Sequence, residues 1–252
     1  MKRIRLQIFV GAIATILASS AFAQTPVSNG ATLAIFGAGN IGAWTTELTI
    51  SNPGETAMAA TVQNYPTPIV CTQIQPCTLE YQIPPRGTVV SGRPDGGIGV
   101  TYVLSDGTVG PQALARVLDA SGRSVDLPVF RLSTLIELDA PELVFPAAQR
   151  WSEGTVNLQL ANIFDSVDPQ LEPVTLRLEA FDANGASLGA RELTLNGGEH
   201  RFLTDVLGFL GVDVVEVGQL SVRRVAGAGR FWGVMPILRA DGSLSVSVGA
   251  AP

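Results

Sequence analysis

Several residue types are scarce in this chain of 252 residues, and each scarcity excludes something. There is one histidine, His200, so a histidine-rich metal site is excluded. Lysine occurs once, as Lys2, and cysteine twice, as Cys71 and Cys77. Aromatic residues make up 6% of the chain, and the sequence ends in "VGAAP" without an aromatic residue. Both features disfavour a small outer-membrane barrel, which carries aromatic girdles. No Gly-x-Ser-x-Gly elbow is present. Past the first two dozen residues no apolar run reaches the length of a membrane helix. The formal net charge is −6. An acidic surface is a poor match for phosphate backbones, so no nucleic-acid partner is expected.

The first 23 residues have their own pattern. Lys2, Arg3 and Arg5 form a basic start, "IFVGAIATILASS" an apolar centre, and Ala21 and Ala23 a small-residue end. This is the pattern of a secretory signal peptide, with cleavage expected after Ala23. Its loss removes the only lysine and leaves a still more acidic chain with no transmembrane segment. The expected location is the bacterial periplasm or the medium. In such a compartment Cys71 and Cys77, in "CTQIQPC", are expected to form a disulfide closing a short loop, worth about 2 kcal/mol.

The rest of the chain reads as short strands broken by turn residues. In "VTLRLEAF", Val174, Leu176, Leu178 and Ala180 alternate with Thr175, Arg177, Glu179 and Phe181, the pattern of a strand with one wet face. In "TTELTI", Thr46, Leu48 and Ile50 share one side. "LDASGRS", "FDANGAS" and "RADGSLS" each place Asp and Gly between two such runs, with Gly122, Gly185 and Gly242 free to take positive φ. One short helix is expected over 204–211, capped by Thr204 and ended by Gly211. A faint repeat pairs the strands after Trp44 with those after Trp151, and the hairpin around Gly122 with that around Gly242. The expected organisation is a signal peptide over 1–23 and two β-sandwich domains over 24–135 and 136–252.

On "LTISNPGETA", "VTLRLEAFDANG" and the two closing hairpins, the chain resembles tandem immunoglobulin-like sandwich modules of exported bacterial proteins. The resemblance implies an all-β fold of two immunoglobulin-like antiparallel sandwiches in tandem. The Cys…Trp…Cys pattern of antibody domains is absent, and no functional residue is carried over.

Several motifs invite a chemical reading. "IFGAGNIGAW" contains Gly37-x-Gly39-x-x-Gly42, the spacing of a dinucleotide-binding turn. Such a turn needs a helix behind it to hold the pyrophosphate, and "WTTELTISNPG" favours strand. The expectation is a loop between a first edge strand and the next strand, with no cofactor. Asp165, Asp168 and Glu172 are the densest carboxylate cluster and a weak calcium candidate without the Asp-x-Asp-x-Asp-Gly loop, so no metal is assigned. Trp44, Trp151 and Trp232 lie beside apolar strands, which favours core positions over a sugar-stacking platform. His200 follows a glycine turn and reads as solvated or locally bonded. Arg223 and Arg224 read as a solvated strand face. With no catalytic residue assigned, the function expected is a non-catalytic binding or structural protein of the bacterial envelope, acting on an envelope protein or a glycan. The alternatives are a periplasmic pilus-type chaperone and a hydrolase on a β-sandwich scaffold.

Overall fold

The computed structural model describes residues 32–39, 44–66, 78–91, 99–107, 109–146, 155–163, 172–213, 218–239 and 241–252. Among the described residues, nine strands precede residue 132: β1 (Leu33–Ala38), β2 (Thr45–Ser51), β3 (Met58–Pro66), β4 (Thr78–Ile83), β5 (Thr88–Ser91), β6 (Gly99–Ser105), β7 (Gln112–Leu118), β8 (Ser124–Leu127) and β9 (Val129–Arg131). Helix α1 (Leu132–Leu138) follows, and the boundary expected at 135/136 falls within it. Then come β10 (Glu142–Phe145), β11 (Thr155–Val156), β12 (Leu158–Asn162), β13 (Val174–Phe181), β14 (Ser187–Leu195), β15 (His200–Leu203), helix α2 (Val206–Phe209), β16 (Gln219–Gly227), β17 (Phe231–Leu238) and β18 (Leu244–Val248). The protein is an all-β sandwich structure of four antiparallel sheets.

The strand order is the same on both sides of α1. Sheet I runs β5-β2-β7-β8, and sheet III runs β15-β12-β17, with β18 on the far side of β17 and β11 continuing β12. Sheet II runs β4-β3-β6-β1-β9, and sheet IV runs β14-β13-β16-β10. Even the corner matches: β9 pairs with β1 after β8, and Ala250 bridges to Val144 of β10 after β18. The pairings β2–β5 and β3–β6 are the B–E and C–F pairings of an immunoglobulin sandwich, whereas β7 lies beside β2 and β1 beside β6.

The sheets stack in the order I, II, III, IV. Leu48, Ile50, Ala115 and Val117 of sheet I meet Leu33, Ile35, Val62 and Val103 of sheet II in one buried cluster. The opposite face of sheet II, with Ala34, Phe36, Val100 and Tyr102, belongs to a second cluster that includes Leu158, Leu160 and Trp232 of sheet III and Leu176, Leu178 and Val222 of sheet IV. Sheets II and III are therefore covered on both faces. Every residue of β1 is buried, which overturns the expectation of a first edge strand. The reason is legible in "LAIFGA", which is apolar throughout without alternating, as a doubly covered strand must be.

Alternation holds in the outer sheets. Thr46, Leu48 and Ile50 of β2 are buried and Glu47 is exposed. Along β13, Val174, Leu176, Leu178 and Ala180 point inward, with the intervening residues half-buried. The three Asp/Gly hairpins share one geometry. Asp119 N bonds to Arg123 O, Asp182 N to Ala186 O and Arg239 N to Ser243 O, around Gly122, Gly185 and Gly242 at φ 84°, 82° and 74°. The helix expected over 204–211 is present as α2, but its cap is Asp205, whose carboxylate accepts from Gly208 N, instead of Thr204. Helix α1 was not foreseen. Its N-cap position is Arg131, which makes no side-chain cap bond, and it buries only Leu132 and Leu135, so it leaves no capping signature in the sequence.

Candidate functional site

Two asparagines set the ends of the paired sandwiches. Asn52, just past β2, donates from Nδ2 to the carbonyls of Thr56 (2.7 Å), Ile83 and Pro84 (both 3.1 Å) and accepts from Gly54 N (2.9 Å). Asn162, ending β12, donates from Nδ2 to the carbonyls of Glu172 (2.8 Å), Asn196 (3.0 Å) and Leu195 (3.4 Å). Each amide ties its strand to the start of the next strand and to the end of the one after that. These bonds satisfy backbone carbonyls that the sheet ladders leave over.

The joint between sheets II and III carries a polar row among apolar side chains. Phe130 stands edge-on to both Phe36 (5.9 Å) and Trp232 (5.6 Å). In the register of sheet III, Ala161 lies opposite His200 on one side and Trp232 on the other, so all three face the same way. His200 is buried here, so of the two expectations for it, solvated or locally bonded, the solvated one does not hold. Gln159 lies on the same face, fully buried, and its Nε2 donates to the Gly99 carbonyl of sheet II at 2.6 Å. Among the described residues, no group bonds to Gln159 Oε1 or to Trp232 Nε1. An unmet buried amide or indole group costs about 1–3 kcal/mol, so the joint has kept polar groups at a price in stability.

At the loop end of the stack, Arg123 connects the two halves. Its Nε bonds to Asp119 (2.6 Å), its Nη1 donates to the Asp241 carbonyl beyond β17 (3.1 Å), and its guanidinium lies 5.7 Å from the Trp44 ring centroid. Asp119 also accepts from the Ser121 hydroxyl and from the amides of Ser121 and Arg123. The Ser121 hydroxyl first, and Arg123 with the two amides after it, hold this carboxyl at about 2.

The outer faces of the stack are polar. On sheet IV, Glu142, Arg223, Arg177 and Glu192 lie in one row across β10, β16, β13 and β14. Arg177 Nε bonds to Glu179 at 3.0 Å, Ser187 Oγ donates to Glu179 at 2.6 Å, and the Ser221 hydroxyl donates to Glu142. Arg177 first and Ser187 second hold the Glu179 carboxyl below the usual range. Arg177 and Arg223 stand directly opposite each other at the centre of this face, a like-charge pairing that is unfavourable by itself. Arg224, on the neighbouring residue, pairs with Asp139 at 3.0 Å. On sheet I the outer face carries Glu47, the Arg116–Asp126 pair (2.9 Å) and two exposed apolar residues, Val90 and Leu114.

The other sequence candidates divide as follows. Cys71, Cys77, Asp165, Asp168 and Trp151 lie outside the described residues. Glu172 is exposed, and its described bond is through its carbonyl to Asn162. Trp44 and Trp232 are buried. Gly37 and Gly39 take φ of 82° and 141°, and Thr46 Oγ1 closes the segment with 2.8 Å bonds to the amide and carbonyl of Gly39. Trp44 and β2 follow as strand, and four residues between Gly39 and Trp44 cannot hold the helix a dinucleotide turn needs. Among the described residues no three of His, Cys, Asp and Glu gather as a metal site, and no helix is long and apolar enough to cross a membrane. The asparagine ties and the charged row were not singled out from sequence, because both depend on cross-strand register. No family model, curated protein or solved structure matches the chain.

Proposed function

We propose that this is an exported, non-catalytic binding or structural protein of the bacterial envelope, and that the outer face of sheet IV is its contact surface for an envelope protein or a glycan. The observation that carries this reading is the row Glu142–Arg223–Arg177–Glu192, with Glu179 tied to both Arg177 and Ser187. The apolar faces of the sheets are buried between them, and the outer face of sheet IV presents charges held in register. Ordered donors and acceptors on a rigid sheet give a polar partner complementarity without a large entropic loss. Of the two central arginines, Arg177 is held by Glu179, and Arg223 is the exposed one that a partner's carboxylate would meet.

The test is capture from envelope extract and on a glycan array, with the wild-type chain beside Arg223→Glu. A partner held by the wild type and lost by a folded Arg223→Glu variant supports the reading. Equal capture by both removes the sheet IV face from it, capture of pilus subunits favours the chaperone alternative, and turnover of an envelope polymer overturns the non-catalytic assignment. Cell fractionation tests export.

A further inference from the structure

The joint inside the chain lays one kind of sheet face on another. Sheet III turns one face to sheet IV and rests the other on the face that sheet II turns away from sheet I. Sheet III is ordered as sheet I, and sheet IV as sheet II. The outer face of sheet I therefore corresponds to the sheet III side of the joint, and the outer face of sheet IV to the sheet II side. The stack ends in two unlike faces that match, by position, the two sides of the joint it already contains.

The register carries this correspondence down to single residues. Gln159 lies three residues before Asn162, between Phe202 of β15 and Val234 of β17. Thr49 lies three residues before Asn52, between Val90 of β5 and Leu114 of β7. Val234 is fully buried in the cluster of the joint, and Phe202 is half-buried. Their counterparts Val90 and Leu114 are 60% and 41% exposed, and Val90 is the most exposed large apolar side chain among the described residues. Two apolar side chains in solvent, flanking a central strand at positions that are covered in the other sandwich, mark a contact face.

We propose that the outer face of sheet I receives the outer face of sheet IV of a second copy of this chain, so that copies add head to tail and repeat the stacking of the joint. The proposal rests on the reading of the sheet IV face as a contact surface and names the partner. A contact between two different surfaces leaves one face of each kind free at the ends, so growth continues unless the rotation from copy to copy closes a ring. Sheet IV brings Arg223 and Arg177 to it, and sheet I brings Glu47 and the Arg116–Asp126 pair beside Val90 and Leu114. The contact is more polar than the internal joint, so it should form and dissociate with concentration.

Sedimentation velocity of the folded protein, up to about 1 mM, should show association that rises with concentration. Leu114→Glu on sheet I and Arg223→Glu on sheet IV should each stay monomeric alone, because each lacks one of the two faces. Mixed one to one, they should form a dimer that grows no further, since the intact sheet IV face of the first fits the intact sheet I face of the second. Both positions are exposed, and Val90→Glu or Arg223→Gln replaces a variant that does not fold. A monomeric wild type, or a mixture of variants that stays monomeric, overturns the proposal. So does association that Arg223→Glu leaves intact, which is sheet I on sheet I, or that Leu114→Glu leaves intact, which is sheet IV on sheet IV. A monomeric wild type that still captures an envelope partner, lost in Arg223→Glu, would sink this proposal and leave the sheet IV reading standing.

Discussion

Asn52→Asp changes the chemistry of one side-chain end and almost none of its volume. In the wild type, Nδ2 has two hydrogens for the carbonyls of Thr56, Ile83 and Pro84 at 2.7, 3.1 and 3.1 Å. Substitution removes both and turns a carboxylate oxygen toward three carbonyl oxygens. Two buried hydrogen bonds are worth about 1–3 kcal/mol net, and the stranded acceptors add about 1–3 kcal/mol. The expected loss at neutral pH is about 3–5 kcal/mol, a large share of the roughly 5–15 kcal/mol that holds a domain folded. The loss should depend on pH with a definite sign. The new carboxyl is favoured in its protonated form by the carbonyls around it, so its folded-state pKa rises above the unfolded value. The destabilisation is then greatest at pH values above the folded pKa and shrinks as the pH falls toward the unfolded value. Urea titrations of wild type and variant at pH 7 and pH 4 measure both effects. Asn162→Asp faces the Glu172, Asn196 and Leu195 carbonyls and should behave alike. A loss under about 1 kcal/mol at pH 7, or a gap that does not narrow on acidification, would refute the reasoning.

Three further outcomes are expected. Phe36→Ala empties a fully buried site in the joint and should cost about 3–5 kcal/mol, with hydrogen exchange accelerating on both sides of α1; acceleration confined to one side would show that the joint does not couple them. Asp119 has a carboxyl depressed from 3.8 to about 2, so it contributes stability that is present above its unfolded value and lost as the pH falls through about 2; Asp119→Ala should flatten that part of the acid-denaturation curve. Gly185→Ala meets no atom within 4 Å and should cost only the left-handed backbone, about 1–2 kcal/mol by thermal melting; Gly227→Ala, whose Cβ would sit 2.1 Å from the Pro173 carbonyl, should cost clearly more, and equal costs would count against the packing there.

The sequence by itself determined what depends on neighbours a few residues away. Alternation in "VTLRLEAF" and "TTELTI" selects strands and names their inward residues, because side chains of a strand change face at every step. Asp119, Asp182 and the glycines that follow them specify hairpins, because a left-handed position and a bond two residues on are local demands. The β-branched run after Gly39 rules out a dinucleotide helix for the same reason. What only the tertiary structure decided involves residues far apart in the chain. "LAIFGA" cannot say that one of its faces meets sheet I and the other sheet III, so the stack of two sandwiches on a shared apolar joint stayed hidden. His200 looked like a turn residue until β15 was laid beside β12. The bonds from Asn52 to Ile83 and from Asn162 to Asn196, and the row from Glu142 to Glu192, all depend on which strands lie adjacent and in what register. That register is set by the packing of apolar faces across the whole chain, a sum over distant contacts that no short stretch contains.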